Sequence, residues 1–430
     1  MSTKILALIF LALILRVLLM SITLHPDLLF INIFPNLFFT DRVYEIFSYI
    51  DKNFQNPRLS YYTPLTYYSF VIFQFFYHFV SDSFGNWMSG LYQFYINQTK
   101  IAYTKDYLEH VKNAFLFKDL FLAKIPYLLF EIGSLNLLFK FIQSKYLKPT
   151  TTIAWVFAPI IIYSTYMHGQ YDIIPAFFVL LGFFLLREKP YVSLIAFGVA
   201  TAFKNYALLF ILIVSFVYGK TIAERLKMML VGFIPYAVSM IPVFINDPKL
   251  SVYALFPKPY FVTSLPLSGW PLISRYLHFA ALLLSLSGVF LIAFMIKTKD
   301  KWQTALSLSL VAITFVLTFA PLVVFHYLLW AFPLSVLWLK KPKTIYLFTT
   351  TQVLFAASFM LLANHVQMGL FAPLNPEFFS NLPTFNQIID RIIPYRIISS
   401  VGYLAFILLN LSLSSIILAS ILFKVRVGSK

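Results

Sequence analysis

The segment with the most chemical potential is His168-Gly169-Gln170-Tyr171-Asp172, a polar stretch between two apolar runs. Lys204 then stands in the middle of a further apolar run. An ionisable group within a membrane or at its edge is costly to place, and such groups usually serve a function. A carboxylate, an imidazole, an amide and an ammonium group can together transfer a proton and bind an anion. These residues are therefore a candidate site, although a single His168 or Asp172 at a span end is often only an interfacial polar group.

The elements that would hold this site are membrane-spanning helices. Hydrophobic residues make up 60% of the chain and charged residues 11%, and the mean hydropathy is +0.81. Such values lie far outside the range of soluble globular proteins, so the sequence predicts an all-α, polytopic membrane protein. Apolar stretches that are long enough to cross a bilayer, or nearly so, recur at 5–22, 120–142, 151–167, 172–186, 190–219, 228–245, 275–296, 304–339, 344–363 and 397–423.

The net charge of +17 could indicate nucleic-acid binding, but the positions of the basic residues favour another explanation. They cluster at short joints between apolar runs, as cytoplasmic loops do under the positive-inside rule. The clusters are Lys140, Lys145 and Lys148; Arg187 and Lys189; Lys220, Arg225 and Lys227; Lys297, Lys299 and Lys301; Lys340, Lys341 and Lys343; and Lys424, Arg426 and Lys430. Placing all of them inside predicts about 12 spans, both termini inside and no nucleic-acid partner.

This topology puts the candidate site on the extracytoplasmic face. It requires outer turns near Lys204 and near His326-Tyr327, and the 168–172 segment falls on the same face. Sizeable outer loops are predicted at 23–118, 246–274 and 364–396.

Two features of the first part of the chain need separate interpretations. The first apolar run is predicted to be an uncleaved span, because Arg16 interrupts it and no clear cleavage site follows. The stretch from Tyr61 to Val80 is apolar and aromatic, and it is predicted to be an amphipathic or re-entrant element at the interface. Cysteine is absent, which excludes disulfides and thiolate metal sites.

Asp41 is the carboxylate that the sequence offers as a general base. A hydroxyl group is a weak nucleophile, so a positioned carboxylate is needed to take its proton as it attacks. Asp41 follows the first span in the segment Thr40-Asp41-Arg42-Val43. It is also placed as the N-cap of an amphipathic helix predicted from Val43 to Tyr49, and the two roles do not exclude each other.

Lys204 is a candidate cation for binding an anion. A point charge on an outer hairpin can stabilise an anionic group where the membrane meets water. The alternative is a lysine that snorkels from a span end. His326 could hydrogen-bond a polar ligand, or it could be an interfacial packing residue.

Several motifs follow one another in an order that resembles a known enzyme family. They are Asp41, the turn Tyr62-Thr63-Pro64-Leu65, Lys124 with Glu131, the 168–172 turn, and Ala202-Phe203-Lys204-Asn205-Tyr206, with His326-Tyr327 later in the chain. This order resembles the C-type glycosyltransferase superfamily, and within it the polyprenyl-phosphate-mannose-dependent mannosyltransferases such as the catalytic subunit of glycosylphosphatidylinositol mannosyltransferase I. The resemblance covers roughly residues 1–220, which it implies are the catalytic transmembrane module, with 221–430 a variable one.

The resemblance implies a transferase that moves a hexose, with mannose favoured, from a polyprenyl-phosphate monosaccharide to a lipid or glycan acceptor. The active site would face the outside of a plasma membrane or the lumen of the endoplasmic reticulum. Asp41 would be catalytic. The residues that would bind the donor phosphate or substrate are Lys204, His168, Gln170, Asp172, His326, Tyr62 and Arg42. The sugar, the acceptor, the carrier lipid and the need for an accessory subunit stay open.

One position departs from the family pattern. Many relatives carry Asp-x-Asp in the first loop, and here Val43 occupies the second acidic position. Hard cations need several oxygen ligands, and a single carboxylate beside Arg42 is a poor nucleus for them. We therefore expect chemistry without a metal and without a cofactor other than the lipid-linked substrate.

Two other classes of protein would also explain many spans. A transporter or lipid flippase would bind its substrate near the midplane, commonly between repeats, whereas the polar groups here fall at span ends and no repeat is visible. A membrane polymerase or ligase of lipid-linked glycans would use arginines in a large late loop, where Arg391 and Arg396 lie.

Overall fold

The protein is an all-α bundle. The computed structural model describes residues 3–53, 62–96, 104–246, 272–319, 324–360, 368–383 and 385–428, and within these ranges no strand occurs. The helices of the first half are α1 (Thr3–Ile22), α2 (Pro26–Thr40), α3 (Ile46–Asn53), α4 (Pro64–Val80), α5 (Asp82–Ile96), α6 (Thr104–His110), α7 (Leu116–Gln143), α8 (Thr151–Met167), α9 (Ile173–Leu185), α10 (Pro190–Phe203) and α11 (Leu208–Tyr218). Those of the second half are α12 (Ile222–Asn246), α13 (Leu272–Met295), α14 (Lys301–Phe319), α15 (Leu328–Leu339), α16 (Pro342–Met360), α17 (Pro376–Ser380), α18 (Phe385–Ile389) and α19 (Tyr395–Gly428).

Six of these helices are long and apolar enough to cross a membrane. They are α1, α7, α12, α13, α14 and α19. Five further apolar helices are shorter, namely α8, α9, α10, α15 and the helix that includes α11. The prediction of an all-α fold is confirmed, and the six long apolar helices support a membrane protein, whereas the number of spans stays a prediction.

The turn that was predicted near Lys204 is present. Helix α10 ends at Phe203, Lys204 is extended, and a short 3-10 turn at Asn205–Ala207 leads into α11. A similar 3-10 turn at Phe325–Tyr327 leads into α15. Each turn lies immediately before a helix, and both turns lie beside the same cluster of polar side chains.

The segment 23–118 is not an extended loop where it is described, because it forms helices α2 to α6. Helix α2 is largely apolar and mostly buried, and it packs against α4 and α5. Helix α4 packs one face against α2 and α10, while Phe75, Phe76 and Phe79 on the other face are exposed. An exposed apolar face suits contact with lipid.

Parts of the predicted outer segments lie outside the described residues, namely Tyr61, 247–271 and 361–367.

Helix α8 is broken, and the break shapes the polar turn that follows it. Thr151–Val156 is α-helical, Pro159 opens a new turn, and Ile162–Met167 continues as a π-helix. π-helical turns are rare and often occur at functional sites. The backbone N–H groups of His168 and Gln170 donate to the carbonyls of Tyr163 and Ser164, which ties the 168–172 turn back onto this segment.

Candidate functional site

The centre of the site is an ion pair between Asp172 and Lys204. The ammonium Nζ lies 2.7 Å from Asp172 Oδ1, and the carboxylate is fully buried. The indole N–H of Trp330 donates to the same oxygen at 2.5 Å. The second oxygen, Oδ2, lies 4.0 Å from Nε2 of His326 and makes no hydrogen bond with any described residue. Such a buried oxygen can accept a hydrogen bond from a ligand hydroxyl.

Local backbone structure turns both members of the pair towards each other. Asp172 stands at the N-terminus of α9 but does not cap it, which leaves its carboxylate for Lys204. Lys204 directly follows α10, whose last carbonyls are capped from another part of the chain. The Thr63 hydroxyl contacts the carbonyl oxygens of Ala202 and Phe203, and Tyr171 donates to the latter at 3.2 Å. Two motifs that are far apart in sequence therefore meet at one helix end.

Aromatic rings surround the Lys204 ammonium. The ring centroids of Tyr171, Tyr327 and Trp330 lie 4.9, 5.3 and 5.4 Å from Nζ, within the range of cation–π attraction. Trp330 also stacks between Tyr206 and Tyr327. Burial lowers the pKa of Lys204, and the charge and the hydrogen bond of Asp172 offset only part of that shift. The carboxylate beside it thus favours the charged form of the lysine.

A second carboxylate, Asp27, belongs to the same cluster, and the sequence analysis did not single it out. Asp27 Oδ2 accepts a short hydrogen bond from the Gln170 amide and lies 3.7 Å from His168 Nδ1. His25 caps α2 by accepting the N–H of Asp27, and its ring stacks on that of His168 at 3.5 Å. Asp27 is 31% exposed, so it is the carboxylate of the cluster that solvent or substrate can reach.

His25, Asp27 and His168 offer three metal-ligand atoms within 4.8 Å of one another among the described residues. Ligands of one ion must direct their lone pairs to a common point. The two rings are stacked with centroids 3.5 Å apart and planes only 25° apart, so one ion at ligand distance cannot lie in the planes of both rings. Binding of one ion by all three would require a ring to rotate. Independence from metal therefore stays a prediction.

Gly169 allows the 168–172 turn to approach α2. Its φ is +78°, and a Cβ atom at this position would lie 2.7 Å from Cβ of Leu28. Its carbonyl accepts a hydrogen bond from Tyr127 at 2.8 Å. A glycine is required here because any side chain would push Gln170 away from Asp27.

The structure brings together most of the residues that the sequence selected. His168, Gln170, Asp172, Lys204 and His326 form the cluster. Tyr62 joins it through an edge-to-face contact with Tyr171 at 5.3 Å.

Asp41 and Arg42 do not join this cluster. Asp27 lies in the first turn of α2 and Asp41 follows its last residue, so a rise of about 1.5 Å per residue separates them by about 20 Å. The prediction that Asp41 is an N-cap is wrong, because it is the C-cap of α2 and the next helix begins only at Ile46. Asp41 is exposed and accepts a hydrogen bond from Thr40 at 2.7 Å, and Arg42 is exposed with a φ of +54°.

Asp27 and Trp330 were missed because each has an ordinary local explanation. His25-Pro26-Asp27 has the pattern of a helix start, with proline at the first position and an acid in the first turn. Trp330 looks like part of an apolar span. The one available signal for Asp27 was its position directly after the first span.

No protein-family model, no curated protein and no solved structure matches this chain.

Proposed function

We propose that this protein is a membrane glycosyltransferase that moves a hexose, most simply mannose, from a polyprenyl-phosphate monosaccharide to a lipid or glycan acceptor. The observation that carries the proposal is the cluster itself. It holds a partly buried lysine paired with a fully buried carboxylate, a second and accessible carboxylate, and several hydrogen-bond donors, all at the ends of apolar helices. This set matches what transfer from a lipid phosphate requires, namely a cation for the leaving group and a base for the acceptor.

Lys204 is the proposed phosphate ligand. An ammonium group has three N–H donors, and Asp172 accepts one of them at 2.7 Å. A donor phosphate could accept another, while the aromatic rings exclude water and so strengthen the attraction. As the bond between the sugar anomeric carbon and the phosphate oxygen breaks, both bond electrons go to that oxygen, and Lys204 stabilises the resulting charge.

Asp27 is the carboxylate that this geometry favours as the base. The acceptor hydroxyl oxygen bonds to the anomeric carbon and its proton passes to the carboxylate, so the lipid phosphate is the only leaving group. Asp27 lies in the cluster that holds Gln170 and His168, whereas Asp41 lies about 20 Å away along α2. A hexose cannot bridge that distance, so Asp41 can serve as the base only if the first segment rearranges.

The proposal keeps the topology that the charges predict. About 12 spans with both termini in the cytoplasm would put the cluster on the extracytoplasmic or lumenal face. The protein would work in a bacterial or archaeal plasma membrane or in the endoplasmic reticulum. Position 43 is a valine rather than a second acidic residue beside Asp41, so no metal is proposed there.

A transporter is the principal rival. It would need charges that face a substrate path. The charged residues that are fully buried within spans bind protein groups instead, because Arg16 pairs with Glu131 at 2.6 Å and Lys124 binds oxygen atoms of Thr23 and Tyr166. This arrangement favours a structural role for the buried charges. For the glycan-ligase alternative, Arg391 is exposed.

The deciding experiment is a transfer assay with purified protein in liposomes. Labelled polyprenyl-phosphate mannose and polyprenyl-phosphate glucose are each supplied with a pool of membrane acceptors. We expect one of the two labels to appear in a new product with wild type and not with Lys204→Met. Lys118→Met, an exposed lysine on α7, is the matched control. Movement of intact donor across the bilayer without any product would instead establish the transporter.

A further inference from the structure

Lys124 is a second lysine inside the protein, and it is not part of the ion pair between Asp172 and Lys204. It lies within α7, its side chain is fully buried, and no carboxylate of the described residues lies within salt-bridge distance of it. Its Nζ donates to Thr23 O at 2.7 Å, Thr23 Oγ1 at 2.8 Å and Tyr166 O at 3.0 Å, and a longer contact of 3.5 Å reaches Leu19 O. The ammonium form has three N–H groups, which suits the three short contacts.

Two helix ends stabilise this charge. Helix α1 ends at Ile22, one residue before Thr23, and the π-helical end of α8 includes Tyr166. The last carbonyl groups of a helix lack partners within it and carry partial negative charge. Lys124 satisfies carbonyls at both ends, which explains how a cation is accommodated in a span without an acidic partner.

The two residues that Lys124 binds through short contacts lie in segments that lead directly into the site. Thr23 precedes His25 by two residues, and Tyr166 precedes His168 by two residues. The segments that begin there meet at the stacked histidine rings and at the hydrogen bond between Gln170 and Asp27. Lys124 therefore joins the bases of both segments, which are also linked directly by the Thr23 hydroxyl at 2.9 Å from the Tyr166 carbonyl oxygen.

Tyr166 is fixed at its other end as well. Its hydroxyl donates to Glu131, which also pairs with Arg16 through bonds of 2.6 and 2.7 Å. The backbone and the side chain of Tyr166 are thus both bound to groups of α1 and α7. The carbonyl of Tyr166, two residues before the 168–172 turn, is held by Lys124 and by the Thr23 hydroxyl.

We infer that Lys124 is a positioning residue that sets the distance between the Asp27 segment and the His168–Asp172 turn. The geometric part of this inference stands independently of the reaction. Its catalytic consequence rests on the proposed function, because the proposed base would be displaced from the acceptor when the two segments separate. Lys204 and Asp172 are held by α9, α10 and α15, so the phosphate ligand should stay in place.

The first test measures position without activity. Because the chain has no cysteine, Asp27→Cys and Gln170→Cys can be introduced together and joined by a short bifunctional methanethiosulfonate reagent. We expect efficient cross-linking in this background, a several-fold lower yield when Lys124→Met is added, and an unchanged yield with Lys118→Met. Methionine keeps the apolar stem but removes the N–H donors that bind Thr23 and Tyr166. A yield that Lys124→Met does not change would overturn the inference.

A milder variant covers the case in which Lys124→Met fails to fold. Lys124→Gln supplies two N–H donors and no charge, and it should give a yield between those of wild type and methionine. Normal cross-linking in well-folded Lys124→Gln and Lys124→Met proteins would refute the positioning role and leave Lys124 with a role in overall stability only.

The second test uses the transfer assay and the otherwise native chain. We expect Lys124→Met to lower kcat by about 100-fold, since a displacement near 1 Å can cost that much, while KM for the donor changes little. Loss of donor affinity with normal kcat would contradict a positioning role. If wild type shows no transfer, the proposed function fails, whereas the cross-linking result still decides the inference about Lys124.

Discussion

At the scale of single residues, the site depends on two carboxylates with different surroundings. Asp172 is buried and shares one oxygen between Lys204 and Trp330, which fits a residue that orients a cation. Asp27 is partly exposed beside Gln170 and His168, which fits a residue that meets the acceptor. Different environments let two carboxylates at one site take different roles.

The first prediction separates the two candidate bases. Asp27→Asn keeps an oxygen that can accept the Gln170 amide but removes the negative charge, so we expect turnover to fall by about 10²-fold or more with donor binding nearly intact. Asp41→Asn should lower turnover far less, because it alters an exposed helix end about 20 Å away. Single-turnover transfer rates and donor binding check both variants. The opposite ranking would restore the sequence-based assignment to Asp41.

The second prediction concerns Lys204. Lys204→Met removes the charge and keeps the stem, so donor affinity should fall by about 1.5 to 3 kcal/mol, the usual value of a hydrogen bond to a charged group. Lys204→Arg should retain part of that affinity, because a planar fork replaces a compact charge. Binding of a polyprenyl-phosphate sugar to each purified variant is the measurement. If the methionine variant binds donor as wild type does, Lys204 is a snorkelling residue without a role in the donor site.

At the scale of secondary-structure elements, the backbone of the 168–172 turn determines where two residues of the site lie. It links a π-helical segment to α9 and passes against the start of α2, and only Gly169 makes this approach feasible. The turn thereby delivers Gln170 to Asp27 and Asp172 to Lys204 from one short stretch of chain.

The third prediction tests that turn. Gly169→Ala should lower the free energy of unfolding by about 1 to 3 kcal/mol, because alanine is strained at positive φ and its Cβ would meet Leu28. Gly288→Ala is the control, since no atom lies within 4 Å of the added Cβ and alanine favours a helix. Thermal unfolding in the same detergent compares the two. Equal midpoints for both variants would show that the turn can relax at no cost.

At the scale of the whole molecule, sidedness links the site to its substrates. The basic joints predict that Glu188, beside Arg187 and Lys189, faces the cytoplasm, and that Glu377 in α17 faces the opposite side. Both side chains are exposed, which makes them better probes than the buried Gln170.

The fourth prediction uses these two positions. In intact cells or sealed vesicles of known orientation, an impermeant thiol reagent should label Glu377→Cys directly and Glu188→Cys only after permeabilisation. The cysteine-free wild type gives the background. Labelling of both positions from one side would refute the topology and with it the extracytoplasmic site.

The sequence alone determined the helical membrane class, the turn at Lys204 and most members of the cluster, because hydropathy and isolated polar residues are local signals. The residues His168, Gln170, Asp172, Lys204 and His326 stood out for that reason, and the structure unites them. Only the tertiary structure decided that Asp27 and Trp330 join this cluster and that Asp41 does not. Their roles depend on packing between distant segments, and neither helix propensity nor hydropathy carries information about such contacts.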